Sequence, residues 1–112
     1  MDKSAKYKKL VKKILTKYVE LFSDSNSGIE EILVADDEKG HYIWLGLGWK
    51  NSNRQNHQIV NARVRNGKIW IETDWTEQGI ATDLLEAGVL KEDIVLAFHS
   101  PQERQYDEFA VA

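Results

Sequence analysis

Between residues 4 and 22 the apolar side chains Tyr7, Leu10, Val11, Ile14, Leu15, Tyr18, Leu21 and Phe22 recur at spacings of three and four. That period stacks them on one face of a helix, with the lysines on the other. Ser23-Asp24-Ser25-Asn26-Ser27-Gly28 holds only turn formers, so the helix stops there. Beyond it the period falls towards two. Residues 29–35 are rich in branched aliphatics and end in a polar turn closed by Gly40. Residues 41–49 alternate, with Ile43, Leu45, Leu47 and Trp49 on one face and Tyr42 and Trp44 on the other. Gly46 and Gly48 share the second face and suggest a bulge or the close approach of another backbone.

Residues 57–65 and 68–75 flank Asn66-Gly67. A two-residue type I′ hairpin turn needs φ > 0 at both central positions, and Asn-Gly meets that need best. The turn sets a register: Arg65 opposite Lys68, Val64 opposite Ile69, Arg63 opposite Trp70, Ala62 opposite Ile71 and Asn61 opposite Glu72. Gln58, Val60, Ala62, Val64, Ile69, Ile71, Thr73 and Trp75 then share the core face. His57, Asn61, Arg63, Trp70, Glu72 and Asp74 share the polar one. On this reading Trp44 and Trp70 both point away from the core.

Thr76 is the expected N-cap and Gly88 the expected C′ residue of a short second helix whose apolar stripe is Ile80, Ala81, Leu84 and Leu85. Residues 94–98 read as a buried strand. The tail from His99 is irregular or a short helix, with its apolar end, residues 109–112, docked. The expected fold class is α+β over residues 1–112 as one domain. It comprises an N-terminal helix, a four-stranded antiparallel β-meander, a second helix and a short C-terminal strand, with the helices packed on one face of the sheet.

Charge adds a second layer to this pattern. The net charge of −3 divides unevenly: residues 1–19 carry seven lysines against Asp2, a net of +6, while the remainder carries eight basic and 17 acidic groups, a net of −9. The lysine face, represented by Lys6, Lys9 and Lys13, is therefore a candidate electrostatic patch. It lacks interleaved aromatics, arginines for base readout and helix-turn-helix spacing, which leaves weak, non-specific nucleic-acid contact as its expected limit. There is no cysteine in the chain, which excludes disulfides, zinc-thiolate and Fe–S sites. Lysines interrupt every apolar run near the start, so neither a signal peptide nor a membrane span is expected. A cytoplasmic location follows as an expectation.

Little in the sequence points to chemistry. His41, His57 and His99 have no partners at metal-ligand spacing, so no metal and no cofactor are expected. Glu72 and Asp74, with Asn61 and His57 nearby, form the one cluster capable of acid–base work or of holding Mg²⁺. No phosphate loop or nucleophile elbow accompanies them, and cross-strand polar pairing explains the same residues. The expectation is a protein that is not an enzyme, with metal-assisted phosphodiester hydrolysis as the alternative. Trp44, Arg63 and Trp70 form the candidate partner interface, because aromatic and arginine residues concentrate binding energy.

Several segments together carry a resemblance. They include Met1-Asp2-Lys3 through Tyr7, Gly48-Trp49, and Asn66-Gly67-Lys68-Ile69-Trp70-Ile71. Thr76-Glu77-Gln78-Gly79-Ile80-Ala81, Leu85-Glu86-Ala87-Gly88-Val89, residues 91–99 and residues 104–112 continue it in order. The chain resembles the XisI-like family of excision controlling factors. Ser100 stands where proline is commoner in that family, and Asp107 where threonine is commoner. The resemblance implies a cyanobacterial accessory protein in developmentally programmed, site-specific excision of a DNA element, as in heterocyst development. It implies no catalytic residues. The partner it implies is XisH-like, a protein resembling nuclease folds; a second copy of the chain is the other candidate. A paralogue outside any excision locus is an equal reading.

Overall fold

The computed structural model describes residues 3–112; Met1 and Asp2, at the start of the resemblance, lie outside the described residues. Helix α1 (Lys3–Phe22) is followed by β1 (Ile29–Asp36), β2 (His41–Lys50), β3 (Asn53–Arg65) and β4 (Lys68–Asp74). Then come α2 (Ile80–Glu86), a 3₁₀ turn at Lys91–Asp93, β5 (Ile94–Leu96) and the short α3 (Pro101–Arg104). The strands form a single sheet in the order β1-β2-β3-β4-β5. The first four pair antiparallel, as the meander pattern requires. The final strand joins the same sheet parallel to β4, reached through the α2 crossover. The fold is α+β.

Tyr7, Val11 and Leu15 of α1 and Ile80 and Leu84 of α2 pack on Val60, Ala62, Val64, Ile69 and Ile71 of the β3–β4 hairpin. Both helices thus cover one face, called here the inner face. The hairpin turn has φ of 54° at Asn66 and 73° at Gly67, the left-handed pair that the dipeptide favours. Arg65, Val64, Arg63 and Ala62 pair as the turn dictates. One residue further on the pairing slips: Asn61 lies opposite Thr73, and Glu72 is the extra residue of a β-bulge.

The β2 faces are the reverse of the expectation. Tyr42 and Trp44 lie opposite Ala62 and Val60 and share their burial, with Trp44 only 4% exposed. Ile43, Leu45 and Leu47 are half-buried on the outer face. Both alternating sets are apolar, so alternation alone cannot choose between them. Registration with the hairpin decides, and carboxylates take up the polar tips. Trp44 Nε1 donates to Glu31 Oε1 at 2.7 Å, and the Tyr42 hydroxyl donates to Asp37 Oδ1 at 2.8 Å. Burial, then the Asp37 contact, pushes the Tyr42 hydroxyl up from its ordinary range.

A second bulge explains another departure. Trp44 pairs with Val60 and Leu45 with Gln58, so Ile59 is unopposed and the alternation of β3 inverts there. His57 consequently stands opposite Gly46 on the inner side, and Gln58, expected in the core, is exposed. The strand also starts at Asn53, four residues earlier than expected, after a turn in which Asn51 and Ser52 have φ of 50° and 69°. The close approach expected at Gly48 is real: a Cβ there would sit 2.0 Å from the Gly28 carbonyl oxygen.

Trp75, expected in the core, is 79% exposed just past the end of β4. The α2 N-terminus also differs. Asp74 Oδ2 accepts from the Ile80 amide at 2.6 Å, so Asp74 caps the helix in place of Thr76. Thr76 accepts from Gly79 N at 3.2 Å and donates to Asp74 Oδ1 at 2.6 Å, bracing that carboxylate. Gly88 does follow α2 at φ 95°, where the Gly88 and Val89 amides close the last turn. The tail docks through Phe109, packed on the core, and Ala110, which bridges to Val95 beyond β5, whereas Val111 and Ala112, also expected to dock, are exposed.

Candidate functional site

The residues expected to form one exposed interface are separated by the sheet. Trp44 belongs to the inner face. Arg63 and Trp70 are cross-strand neighbours on the outer face, as the turn predicts. Arg63 does not stack on that indole; it grips Glu72 through Nε at 3.1 Å and Nη2 at 2.9 Å. The cations over Trp70 are Arg65, 4.6 Å from the ring centre, and Arg104, at 5.8 Å. Trp70 is half-buried, and its Nε1 has no hydrogen-bond partner among the described residues.

The carboxylate cluster is divided as well. Glu72 is committed to Arg63, and Asp74 turns to cap α2. His57 is across the sheet beside Gln55, with 2.9 Å between its Nε2 and Gln55 Oε1. Asn61 contacts His41 Nε2 at 2.6 Å instead. His99 lies 3.1 Å from Asp107. Among the described residues no group of three His, Asp or Glu side chains is placed to hold a metal ion.

Lys6, Lys9 and Lys13 are exposed, as the helical period predicts. The seven lysines nevertheless fall into two sets. Lys3 reaches Asp93, Lys12 reaches Asp37 at 2.9 Å, and Lys8 contacts the Glu38 carbonyl at 3.4 Å. Those three tie the basic helix to the acidic body. Lys6, Lys9, Lys13 and Lys17 form a solvent-facing row with no ion-pair partner among the described residues.

The feature that the sequence pattern concealed is a groove of about 950 Å³ on the inner face, beyond the end of α1. Its volume is in the range of ligand sites, on the order of 300–1,000 Å³. Three rings build one wall: Trp44 stacks on Tyr18 at 5.5 Å, and Phe22 tilts against Trp44 at 5.5 Å. The Tyr18 hydroxyl donates to Asp83 Oδ2 at 2.7 Å, and burial together with that contact pushes its pKa up to about 12. Trp75 also lines the groove, its strand extension held by a 2.8 Å bond from its amide to the Ile59 carbonyl. Gly46 lies in the floor between Glu31 and His57, which are its register partners on either side. A Cβ on Gly46 would stand 3.3 Å from the Ile59 side chain and 3.5 Å from that of Ile29, so the floor has little room for a side chain at this position. The Ile59 bulge shapes this groove by turning His57 and Gln55 inward.

Taken together, the helix-covered meander with a parallel fifth strand defines a class of small α+β proteins, and the comparisons identify it. The family model described as XisI protein matches residues 1–111. The chain belongs to the XisI family. It is similar to the crystal structure of a XisI-like protein from Anabaena variabilis ATCC 29413, at 38% identity over 97% of this chain and 99% of that one, with a TM-score of 0.89. It is also similar to the fdxN element excision controlling factor XisI from the same organism, at 37% identity over 99% and 100% of the two chains, with a TM-score of 0.86. No curated protein matches the chain. Among the described residues no helix is long and apolar enough to cross a membrane.

Proposed function

We propose that this protein is a controlling factor in programmed, site-specific excision of a DNA element, acting by binding a protein partner and performing no chemistry of its own. The observation that carries this reading is the match along nearly the whole chain to the fdxN element excision controlling factor XisI, at 37% identity. The side chains considered for phosphodiester chemistry support it, since Glu72 and Asp74 serve an ion pair and a helix cap respectively. An XisH-like protein is the partner we assign, acting in the cytoplasm. The test is an excision assay in cells that carry the element and its recombinase but lack a XisI protein. Supplying this chain should restore excision, and Glu72→Gln should restore it equally. Excision that is unaffected by the chain would overturn the reading.

A second reading rests on the row Lys6, Lys9, Lys13 and Lys17, which supports weak, non-specific contact with nucleic-acid phosphates alongside partner binding. Such contact releases counterions and collapses with salt. Replacing Lys6, Lys9 and Lys13 by glutamine should abolish any retention on a DNA column at low salt. Retention that persists at high salt would contradict it.

A further inference from the structure

We propose that the inner-face groove receives an arginine side chain presented by a basic segment of a protein partner. The assignment rests on the partner-binding reading above and adds to it the place of docking and the chemistry of the residue that docks.

Three observations point to a planar cation. First, Glu31 is half-buried on the groove wall with only Oε1 engaged, by the Trp44 indole; Oε2 has no donor among the described residues. Covering this carboxylate with an apolar side chain would bury its charge with only the neutral indole N–H as donor, which is unfavourable. Second, the groove offers exposed aromatic faces beside that carboxylate: Trp75 is 79% exposed and Phe22 55%. Indole and phenyl faces attract cations, and the guanidinium both stacks on them and directs N–H donors at a carboxylate. Third, the surrounding charge has the matching sign. Glu77 lines the groove, and an adjoining depression that shares Ile29 and Glu31 adds Asp24 and Glu30. Lys50 is the only lysine or arginine lining the groove, towards the β2–β3 turn. A lysine is the weaker fit, because its ammonium is compact, strongly hydrated and cannot stack.

The same geometry argues against a second copy as occupant. The basic helix of this protein has no arginine, and its outward cations are all lysines. Arg54, Arg63, Arg65 and Arg104 each already contact an indole or a carboxylate.

The test uses the indole N–H signals of the folded, ¹⁵N-labelled protein. The probes are N-acetyl-arginine amide, N-acetyl-citrulline amide (nearly isosteric but uncharged) and the blocked hexapeptide Leu-Arg-Leu-Arg-Leu-Gly. The arginine amide should shift the Trp44 and Trp75 signals saturably, and citrulline should require at least tenfold more ligand. The hexapeptide should bind at least tenfold more tightly than the arginine amide, which separates a protein segment from a free small molecule as occupant. Glu31→Gln keeps an oxygen acceptor for the Trp44 indole, so the fold should survive while the arginine response falls at least fivefold. Equal responses to arginine and citrulline, or shifts confined to Trp49 and Trp70, would overturn the proposal. If an XisH-like partner binds the wild type and the Glu31→Gln and Trp75→Ala variants equally, the groove assignment fails while the partner reading stands.

Discussion

The Tyr7 hydroxyl donates a 2.6 Å hydrogen bond to Asp93 Oδ2, joining the start of α1 to the residue before β5 across 86 positions of sequence. Asp93 is the one buried charged residue among those described, and Lys3 adds a second donor at 3.0 Å from an exposed position. Tyr7→Phe would leave this carboxylate short of its buried donor. The expected cost is about 1–3 kcal/mol, measured by urea denaturation. Lys3→Gln should cost less, because its ammonium is largely in water.

The same contact predicts a pH dependence at both ends. Burial opposes the charged form of Asp93, yet the hydrogen bonds from Tyr7 and Lys3 outweigh it and hold the carboxyl below its ordinary range. Its contribution to stability is therefore complete above the value for an unfolded aspartate, about 3.9, and is lost as pH falls through the lower folded value. Burial and the bond to Asp93 push the Tyr7 hydroxyl up to about 12. That contribution is complete below the ordinary tyrosine value of about 10 and is lost as pH rises through about 12. Urea midpoints across pH should fall at both ends in the wild type. Tyr7→Phe should flatten both limbs, and an unchanged acid limb would contradict this account.

Two glycines should differ in what they tolerate. Gly67→Ala strains a φ of 73° but meets nothing closer than the flexible Lys3 side chain at 3.6 Å, so about 1 kcal/mol is expected. Gly48→Ala drives a methyl group into the Gly28 carbonyl, 2.0 Å away. It should destabilise by more than Gly67→Ala and shift the amide resonances of residues 27–29. Equal thermal midpoints for the two variants would count against the described approach of the β1 loop.

Asp74→Ala removes the cap of α2 and should cost about 0.5–2 kcal/mol, with faster amide exchange at Ile80 and its neighbours. Glu72→Ala breaks a half-exposed ion pair and should cost no more than about 1 kcal/mol. A larger loss for Glu72→Ala than for Asp74→Ala would reverse the roles assigned to these carboxylates.

On the outer face Trp70 supports the tail. Arg104 stacks on its ring and donates from Nη1 to the Val111 carbonyl at 2.9 Å. Trp70→Ala should accelerate hydrogen exchange across residues 104–111 and lower the thermal midpoint. Arg63→Ala removes a guanidinium that is engaged by Glu72 and does not stack on the ring, and should leave that exchange unchanged.

How far the sequence could be read follows from where its signals were unambiguous. Asn66-Gly67 admits one turn geometry, so the hairpin register near it is correct to the residue. The Tyr7 to Phe22 stripe likewise identifies α1. The β2 faces were beyond reach because Tyr42 and Trp44 compete with Ile43 and Leu45, two apolar sets that alternation cannot rank. Only pairing with Ala62 and Val60 settles the choice. Bulges at Ile59 and Glu72 leave no reliable mark on a single sequence, yet each inverts everything beyond it. Simple alternation therefore puts His57 on the outer face, Trp75 in the core and an acidic cluster where the chain forms a cap and an ion pair. The groove depends on the Ile59 bulge and was hidden for the same reason.

The central claim, that this XisI-family protein acts by binding a partner, is tested most directly by titrating the purified chain into a purified XisH-like protein in a calorimeter. A saturable complex of fixed stoichiometry is predicted, weakened at least tenfold by Trp75→Ala and little affected by Arg63→Ala, with no hydrolysis of DNA, RNA or a generic phosphodiester in Mg²⁺, Mn²⁺ or Zn²⁺. No detectable heat of binding, together with phosphodiester turnover that disappears in Glu72→Gln or Asp74→Asn, would contradict it.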